Sequence, residues 1–247
     1  MRFLFETTKR DFSDLAGGRV LYSVVGAAPP PVRLICEVFQ RCASLLEDSG
    51  VYRPLVVYDP LCGTGYLLTV IGFLHRDRIV ELWGSDINAD LVAIAEANLS
   101  LLSESGILAR ERWLREQAAQ FNKPSHAEAV HSVVRLRRLV ESRAEPIVRC
   151  HLADALCEIP PVVNVRRVDL VFADLPYGNL ADWHEADSLE CPPEEAFMQK
   201  CASWMRPGAV LAAFTSKIQH LEHPAFRRRM RLPHGRRQVW VFERLAS

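Results

Sequence analysis

Apolar residues in the N-terminal part of the chain fall into short runs that alternate with helical patterns. A helical pattern from about residue 32 to residue 46 is followed by the strand-like run Leu55 to Tyr58. After a glycine-bearing turn comes an apolar helical run from Tyr66 to Leu74. A second strand-like run, Ile79 to Trp83, precedes a helical pattern from about residue 90 to residue 102. Strands that alternate with helices in this way predict a parallel, doubly wound α/β sheet.

The alternation stops between residues 103 and 145, where no strand pattern occurs. Two helical patterns lie there, separated by Asn122 to Ser125. Ser125 and Glu128 have the spacing of a capping box, which predicts a helix start at that point. We interpret the segment as a two-helix insertion at about residues 105–145.

Strand patterns resume in the C-terminal part at residues 147–151, 168–173 and 209–214. The segment from Phe226 to Phe242 is typical of a closing antiparallel hairpin. We therefore predict a single α/β domain over residues 1–247. Its expected fold is Rossmann-like, with a seven-stranded, mostly parallel, doubly wound sheet, the closing hairpin and the helical insertion.

Composition narrows the class of protein. The 247 residues include 30 Lys+Arg and 30 Asp+Glu, so the formal net charge is zero. A net charge of zero argues against a surface coated in basic residues but leaves room for a local basic patch. The seven cysteines form no C-x-x-C pair, which favours reduced thiols over a disulfide scaffold or a zinc site. The apolar stretch in residues 1–6 is too short to predict a secretory signal, and no run approaches the roughly 20 apolar residues that cross a bilayer. We expect a soluble cytoplasmic protein without a metal ion or a membrane contact.

Candidate binding chemistry begins at the turn after the first predicted strand. Gly63 and Gly65 allow a tight turn and let backbone amides approach a ligand at a helix N-terminus. Asp86 ends the second predicted strand, 21 positions after Gly65, where a carboxylate can accept hydrogen bonds from both hydroxyls of a ribose. Asp154, just past the third strand, is placed to accept a hydrogen bond from the amino group of an adenine. The alternative is a plain glycine turn with Asp86 as a helix cap.

The type of cofactor follows from two further positions. The dinucleotide fingerprint requires a third glycine, and its position holds Leu68. Asp59, directly before the turn, suits a ligand with an ammonium and a sulfonium group, which favours S-adenosylmethionine (SAM) over NAD. The predicted cofactor-binding residues are Asp59, Cys62, Gly63, Thr64, Gly65, Tyr66, Asp86, Ile87, Asp154 and Ala155.

Candidate reaction chemistry lies at the end of the fourth predicted strand, in Asp174-Leu175-Pro176-Tyr177-Gly178. If the Asp174 carboxylate and the carbonyl of Leu175 or Pro176 accept the N–H hydrogens of a planar amine, its lone pair is directed at the methyl group. Tyr177 would stack on the ring. We predict Asp174, Leu175, Pro176 and Tyr177 as catalytic residues. The alternative is an ordinary turn after a strand.

These motifs resemble those of the class I, Rossmann-like SAM-dependent amino-methyltransferases, and most closely the AviRa-type, avilamycin-resistance rRNA methyltransferases. The segments that carry the resemblance are Asp59 to Val70, Leu74 to Arg76, Ser85-Asp86, Ala97 to Leu99, Arg115 to Gln117, Lys123 to Ser125 and Asp174 to Gly178. The resemblance implies methylation of the exocyclic N2 of a guanine in large-subunit ribosomal RNA, with resistance to a ribosome-targeting antibiotic as a consequence. Wider relatives usually carry a second proline where this chain has Leu175.

Basic residues of the insertion are candidates for contact with RNA phosphates, which give affinity without sequence information. They are Arg112, Arg115, Lys123, Arg135 and Arg138. A second basic cluster, residues 227–231 with Arg236 and Arg237, flanks the hairpin turn. Charged helix faces are also often simply solvated. The acidic residues within 182–190 would repel a phosphate backbone.

Two other functions stay open on the sequence alone. One is an amino-methyltransferase for a protein amide or a small molecule, in which the arginine clusters are incidental. The other is a non-catalytic RNA-binding or assembly factor that kept the fold.

Overall fold

In a computed structural model of the chain, the described residues form one seven-stranded sheet in the order β3-β2-β1-β4-β5-β7-β6. The structure describes residues 1–26, 28–157, 167–176, 183 and 190–246. The strands are β1 (Leu55–Asp59), β2 (Ile79–Asp86), β3 (Ile147–Leu152), β4 (Leu170–Asp174), β5 (Val210–Ser216), β6 (Phe226–His234) and β7 (Arg237–Arg244). The helices are α1 (Val32–Asp48), α2 (Tyr66–Leu74), α3 (Ala89–Ser100), α4 (Glu104–Phe121), α5 (Pro124–Glu141) and α6 (Pro193–Trp204).

Strand directions place the ends of the first four strands at one edge. The β1–β2, β1–β4, β2–β3 and β4–β5 pairs are parallel, whereas β7 pairs antiparallel with both β5 and β6. The carboxyl ends of β1 to β4 therefore meet at the same edge, which is where ligands bind in open α/β sheets. The predicted Rossmann-like fold with its closing antiparallel hairpin is confirmed.

Side chains of β1 show that both faces of the sheet are covered. All five β1 residues are buried. Because neighbouring side chains on a strand point to opposite faces, Leu55 and Val57 join one apolar cluster and Val56 and Tyr58 join another. Helices α1, α2 and α3 contribute to the first cluster and α6 contributes to the second. The sheet is thus doubly wound, as its continuous apolar strands predict.

The helical insertion consists of α4 and α5, which pack against each other. Its start signal differs from the predicted capping box: α5 begins at Pro124, and its N-cap Lys123 makes no side-chain cap. Proline suits the first helical position because its φ is preset and its missing N–H is not needed there. The helix therefore starts close to the predicted position, but Ser125 lies inside it and the predicted capping box is wrong.

The insertion holds the N-terminal segment in place. Arg110 is buried on α4, where its Nε donates to the Val20 carbonyl at 2.9 Å and its guanidinium lies 4.0 Å from the Tyr22 ring centre. Arg135 of α5 pairs with Asp14. These contacts fix the chain just ahead of residues 24–26 and 28–30, which line the site described below.

Among the described residues, no single helix is both long enough and apolar enough to cross a membrane. Helices α3 and α4 satisfy the length and hydropathy criteria only when taken together, as a pair bent by 101°.

Candidate active site

A cavity of about 570 Å³ lies at the carboxyl edge of the parallel strands. Its volume falls in the range of small-molecule sites. The cavity brings together nearly all the sequence-predicted cofactor and reaction residues in the described part of the chain. Those that line it are Asp59, Cys62, Gly63, Thr64, Tyr66, Asp86, Ile87, Asp154, Ala155, Asp174, Leu175 and Pro176.

Three of the cavity acids are fixed by the same local turn. In each, one carboxylate oxygen accepts the backbone N–H two residues further along, an Asx turn that locks the side chain at the end of its strand. The pairs are Asp59 with Leu61 at 3.0 Å, Asp86 with Asn88 at 2.9 Å and Asp154 with Leu156 at 2.8 Å. Each acid is thus positioned by its own neighbours in the sequence.

The glycine turn joins β1 to α2 and is held by the acid of the next strand. Gly63 has a φ of 52°, and its N–H donates to the second carboxylate oxygen of Asp86 at 2.9 Å. Gly65 has a φ of 70° and lies against α3, where an added Cβ would be 3.1 Å from Ala95. Gly65 is absent from the cavity lining, so its contribution is to the turn and to close helix packing.

Asp59 is the buried acid of the cavity. It is fully buried, and its Oδ2 has no hydrogen-bond partner among the described residues. Burial raises the pKa of Asp59 well above the usual value, and the nearby Asp174 and Asp86 carboxylates add to the rise. A buried carboxylate with one unsatisfied oxygen calls for a cationic ligand. The ammonium group of SAM fits this requirement.

The remaining predicted cofactor residues connect the turn to its surroundings. The Sγ atoms of Cys62 and Cys150 are 3.8 Å apart beneath the turn. The hydroxyl of Tyr66 donates to the Leu15 carbonyl at 3.0 Å. Ile87 is 43% exposed and presents an apolar surface to the cavity.

One cavity wall comes from the N-terminal segment, which the sequence did not indicate. Its lining residues are Val24, Val25, Gly26, Ala28, Pro29 and Pro30. Buried Asn98 on α3 joins this segment to the glycine turn, because its amide donates to the carbonyls of Tyr22 at 2.9 Å and Thr64 at 2.8 Å. Its Oδ1 accepts the Tyr22 N–H at 2.8 Å. The wall and the turn are therefore one connected structure.

Asp174 lies at the end of β4 and faces a cation from β7. Both of its carboxylate oxygens are 3.0 Å from Nη1 of Arg237. Burial raises the pKa of Asp174 to about 6, although Arg237 acts to lower it. A carboxylate with this pKa is ionised at neutral pH and is a stronger base than an exposed aspartate.

The neighbours of Asp174 have mainly structural contacts. The Leu175 N–H donates to the Phe214 carbonyl at 2.9 Å, and the Pro176 carbonyl accepts from Nε2 of Gln219 at 2.8 Å. Tyr177 lies outside the described residues. Arg237 was not predicted as a site residue, and its only signal in the sequence is membership of the basic cluster at the hairpin turn.

The predicted RNA-binding residues fall into two groups. Arg115 pairs with Glu111 on the same helix, and Arg135 pairs with Asp14. Arg112, Lys123 and Arg138 are exposed, and none of them forms an ion pair within the described ranges. Contact of these residues with RNA stays a prediction. Of the acidic residues in 182–190, only Glu190 is described.

A Rossmann-like sheet with a glycine turn after β1, an acid ending β2 and a second acid ending β4 defines a methyltransferase of the class I type. Comparison with known proteins agrees. The sequence matches the family described as rRNA methyltransferase AviRa over residues 1–237, and the chain belongs to that family. This confirms the resemblance seen in the motifs and supports SAM as the cofactor.

Relatives of known name and structure come from Streptomyces viridochromogenes. A protein named 23S rRNA (guanine(2535)-N(1))-methyltransferase is 37% identical over 206 residues, which cover 82% of this chain and 80% of the relative. Two crystal structures of the rRNA methyltransferase AviRa, at 2.4 Å and 1.5 Å, match with TM-scores of 0.83 and 0.84. Each AviRa chain is 32% identical to this one, and each match covers 98% of this chain and 96% of the AviRa chain.

Proposed function

We propose that this chain transfers a methyl group from SAM to N1 of a guanine in 23S rRNA, and that it does so in the cytoplasm, where ribosomes are found. Family membership supports rRNA methylation, and the printed name of the 37% identical relative supports guanine N1. The family resemblance of the motifs implies the exocyclic N2, whereas the relative's name specifies N1. The observation that carries the choice of N1 is the position of Asp174, whose pKa is raised to about 6, in the same cavity as the cofactor residues.

The two guanine nitrogens place different demands on the protein. The exocyclic amine keeps its protons until it is alkylated, so it needs acceptors that orient it and no prior base. N1 carries one proton, which must leave before N1 offers an electron pair to the methyl group. A carboxylate whose pKa is raised to about 6 meets this demand better than an ordinary aspartate does.

The cofactor residues would hold SAM by its three polar parts. The unpaired oxygen of Asp59 suits the ammonium group, Asp86 has lone pairs left for the ribose hydroxyls, and Asp154 lies where an adenine amine can donate. SAM supplies a methyl group on a sulfonium sulfur, and transfer to nitrogen leaves the carbon–sulfur electron pair on a neutral thioether. Asp174, which lines the same cavity, accepts the N1 proton.

Mapping the modified nucleotide tests this function. 23S rRNA is prepared from cells with the protein, without it, and with an Asp174→Ala variant. Its nucleosides are then separated and identified by mass spectrometry. We expect 1-methylguanosine only with the active protein, at the counterpart of the guanine 2535 that the relative's name specifies. Primer extension should stop there, because N1 methylation removes a Watson–Crick donor.

Other outcomes separate the alternatives. N2-methylguanosine would overturn the choice of N1 and leave guanine methylation in place. Label from methyl-labelled SAM that enters only protein would overturn rRNA as the substrate. Cells that make the active protein should also tolerate avilamycin better than cells with the Asp174→Ala variant, as the resemblance to resistance enzymes implies.

A further inference from the structure

We infer that Arg237 is a second catalytic residue, which binds O6 of the target guanine and stabilises the negative charge that forms there when Asp174 takes the N1 proton. This inference rests on the proposed function and adds the group that recognises the base.

The position of Arg237 is the first support. It begins β7, where it pairs with Ser216 of β5, and its side chain reaches the end of β4. Nη1 contacts Asp174, and Nη2 donates to the Ala28 carbonyl in the N-terminal wall. The side chain is only 16% exposed and lines the cavity. A guanidinium is thus held by two separate segments beside the candidate base.

A second carboxylate, just before the same strand, shows what a structural ion pair looks like in this protein. Asp169 directly precedes β4 and is fully buried, away from the cavity. It accepts from both Nη atoms of Arg53 at 2.8 Å and 2.9 Å, from Nη2 of Arg206 at 2.5 Å and from the Val56 N–H at 2.9 Å. Asp169 is surrounded by donors. Among the residues that the structure describes, Arg237 is the arginine that pairs with Asp174, which also lines the cavity.

The chemistry of guanine is the second support. Its Watson–Crick edge presents N1–H and N2–H₂ as donors beside O6 as an acceptor, whereas adenine presents an acceptor at N1 and a donor at N6. A carboxylate next to a guanidinium matches guanine and opposes adenine at both positions. The Asp174–Arg237 pair therefore selects the base as well as its reacting atom.

The charge balance of the step is the third support. The N1 proton passes to the Asp174 carboxylate, and the electron pair of the N–H bond delocalises onto O6. N1 then forms its bond to the methyl carbon while the carbon–sulfur pair stays on sulfur, and the O6 carbonyl is restored in neutral 1-methylguanine. As Asp174 becomes neutral, the positive charge of Arg237 faces the anionic O6. Preorganised charge of this kind is the largest contribution in many enzymes.

The test compares Arg237→Gln and Arg237→Lys with Arg206→Gln as the matched control. Arg206 also pairs with a buried aspartate next to β4, but away from the cavity. Assays use 23S rRNA from cells that lack the protein, with labelled SAM, and report kcat, KM and the labelled nucleoside. Calorimetry measures SAM affinity, and thermal melting measures stability.

For Arg237→Gln we expect kcat to fall about 10²- to 10³-fold, with SAM affinity within about twofold of the parent chain. The acid limb of its pH profile should move to higher pH, because Arg237 lowers the pKa of Asp174. Arg237→Lys should recover part of kcat, since it keeps the charge and loses the planar donor fork. Arg206→Gln should lower the melting temperature and leave kcat unchanged.

The inference is overturned if Arg237→Gln keeps kcat within about threefold, or if its loss of activity is matched by lost SAM affinity or by a melting shift like that of Arg206→Gln. Failure of the proposed function looks different. In that case the parent chain itself transfers no labelled methyl group to guanine, regardless of how the variants behave.

Discussion

Four aspartates occupy equivalent places in this fold, at or just past the carboxyl ends of β1, β2, β3 and β4, yet they are held in two different ways. Asp59, Asp86 and Asp154 each accept the backbone N–H two residues on. Asp174 does not, because the residue two positions on is Pro176, which has no N–H to donate. Its partner is Arg237, 63 positions away.

In the proposed function, this difference separates the three acids that would bind the cofactor from the one that would take part in the reaction. A carboxylate locked by its own backbone is well suited to hold fixed ligand groups, because the turn fixes its direction in advance. A carboxylate without that lock keeps its lone pairs for a proton, and its pKa depends on a side chain that is distant in the sequence, here Arg237. The proline of the reaction motif therefore acts as much by removing a donor as by shaping a turn.

The strongest test of the comparison is Asp174→Asn. The amide cannot take the N1 proton, so we expect kcat to fall about 10²- to 10⁴-fold. SAM affinity should stay within about twofold, because the three locked acids are untouched. Single-turnover methylation and calorimetry measure the two quantities. A large loss of SAM affinity would show that Asp174 and the three locked acids do not act independently.

The converse variant is Asp86→Ala, which removes the acceptor for the Gly63 and Asn88 N–H groups. We expect the Kd for SAM to rise about 5- to 150-fold, equivalent to about 1–3 kcal/mol. At saturating SAM, kcat should change far less than in Asp174→Asn. Asp90→Ala is the control, since Asp90 is an exposed acid in the first turn of α3 that does not line the cavity.

The pH dependence of activity should reflect Asp174. Its raised pKa of about 6 means that the carboxylate is ionised above that pH and protonated below it. Activity at saturating SAM should therefore hold toward neutral pH and fall about tenfold per unit below the limb. Arg237 from β7 acts to lower the pKa of Asp174, and Asp174 in turn raises the pKa of Asp59 from β1. A flat profile between pH 5 and 7, a range about one unit either side of that pKa, would rule out Asp174 as the base.

Pro176→Ala should give the smallest change. It restores an N–H at the position that locks the other three acids, so it offers Asp174 a hydrogen bond that favours its ionised form. We expect the acid limb to move to lower pH by less than about one unit, opposite to the shift in Arg237→Gln. An unchanged limb would indicate that strand geometry, rather than the missing N–H, keeps Asp174 out of a turn.

How far the site could be predicted depends on how many positions separate the contacting residues in the sequence. Asp59, the glycine turn and Asp86 were found because strand, turn and helix follow each other directly, and the alternation of apolar runs located the strands. Arg237 was missed because its partner depends on antiparallel pairing of β7 with β5. The capping box failed because Pro124 started α5 without one.

The long separation between Asp174 and Arg237 also sets an order of assembly. The chain is made from its N-terminus, and contacts between distant positions close late in folding. The three locked turns need only their own neighbours, so we expect them to form while later strands are still being synthesised. The proposed catalytic pair, Asp174 and Arg237, can form only after β7 has joined the sheet. An enzyme assembled in this way acquires its cofactor turns first and its ability to modify RNA last.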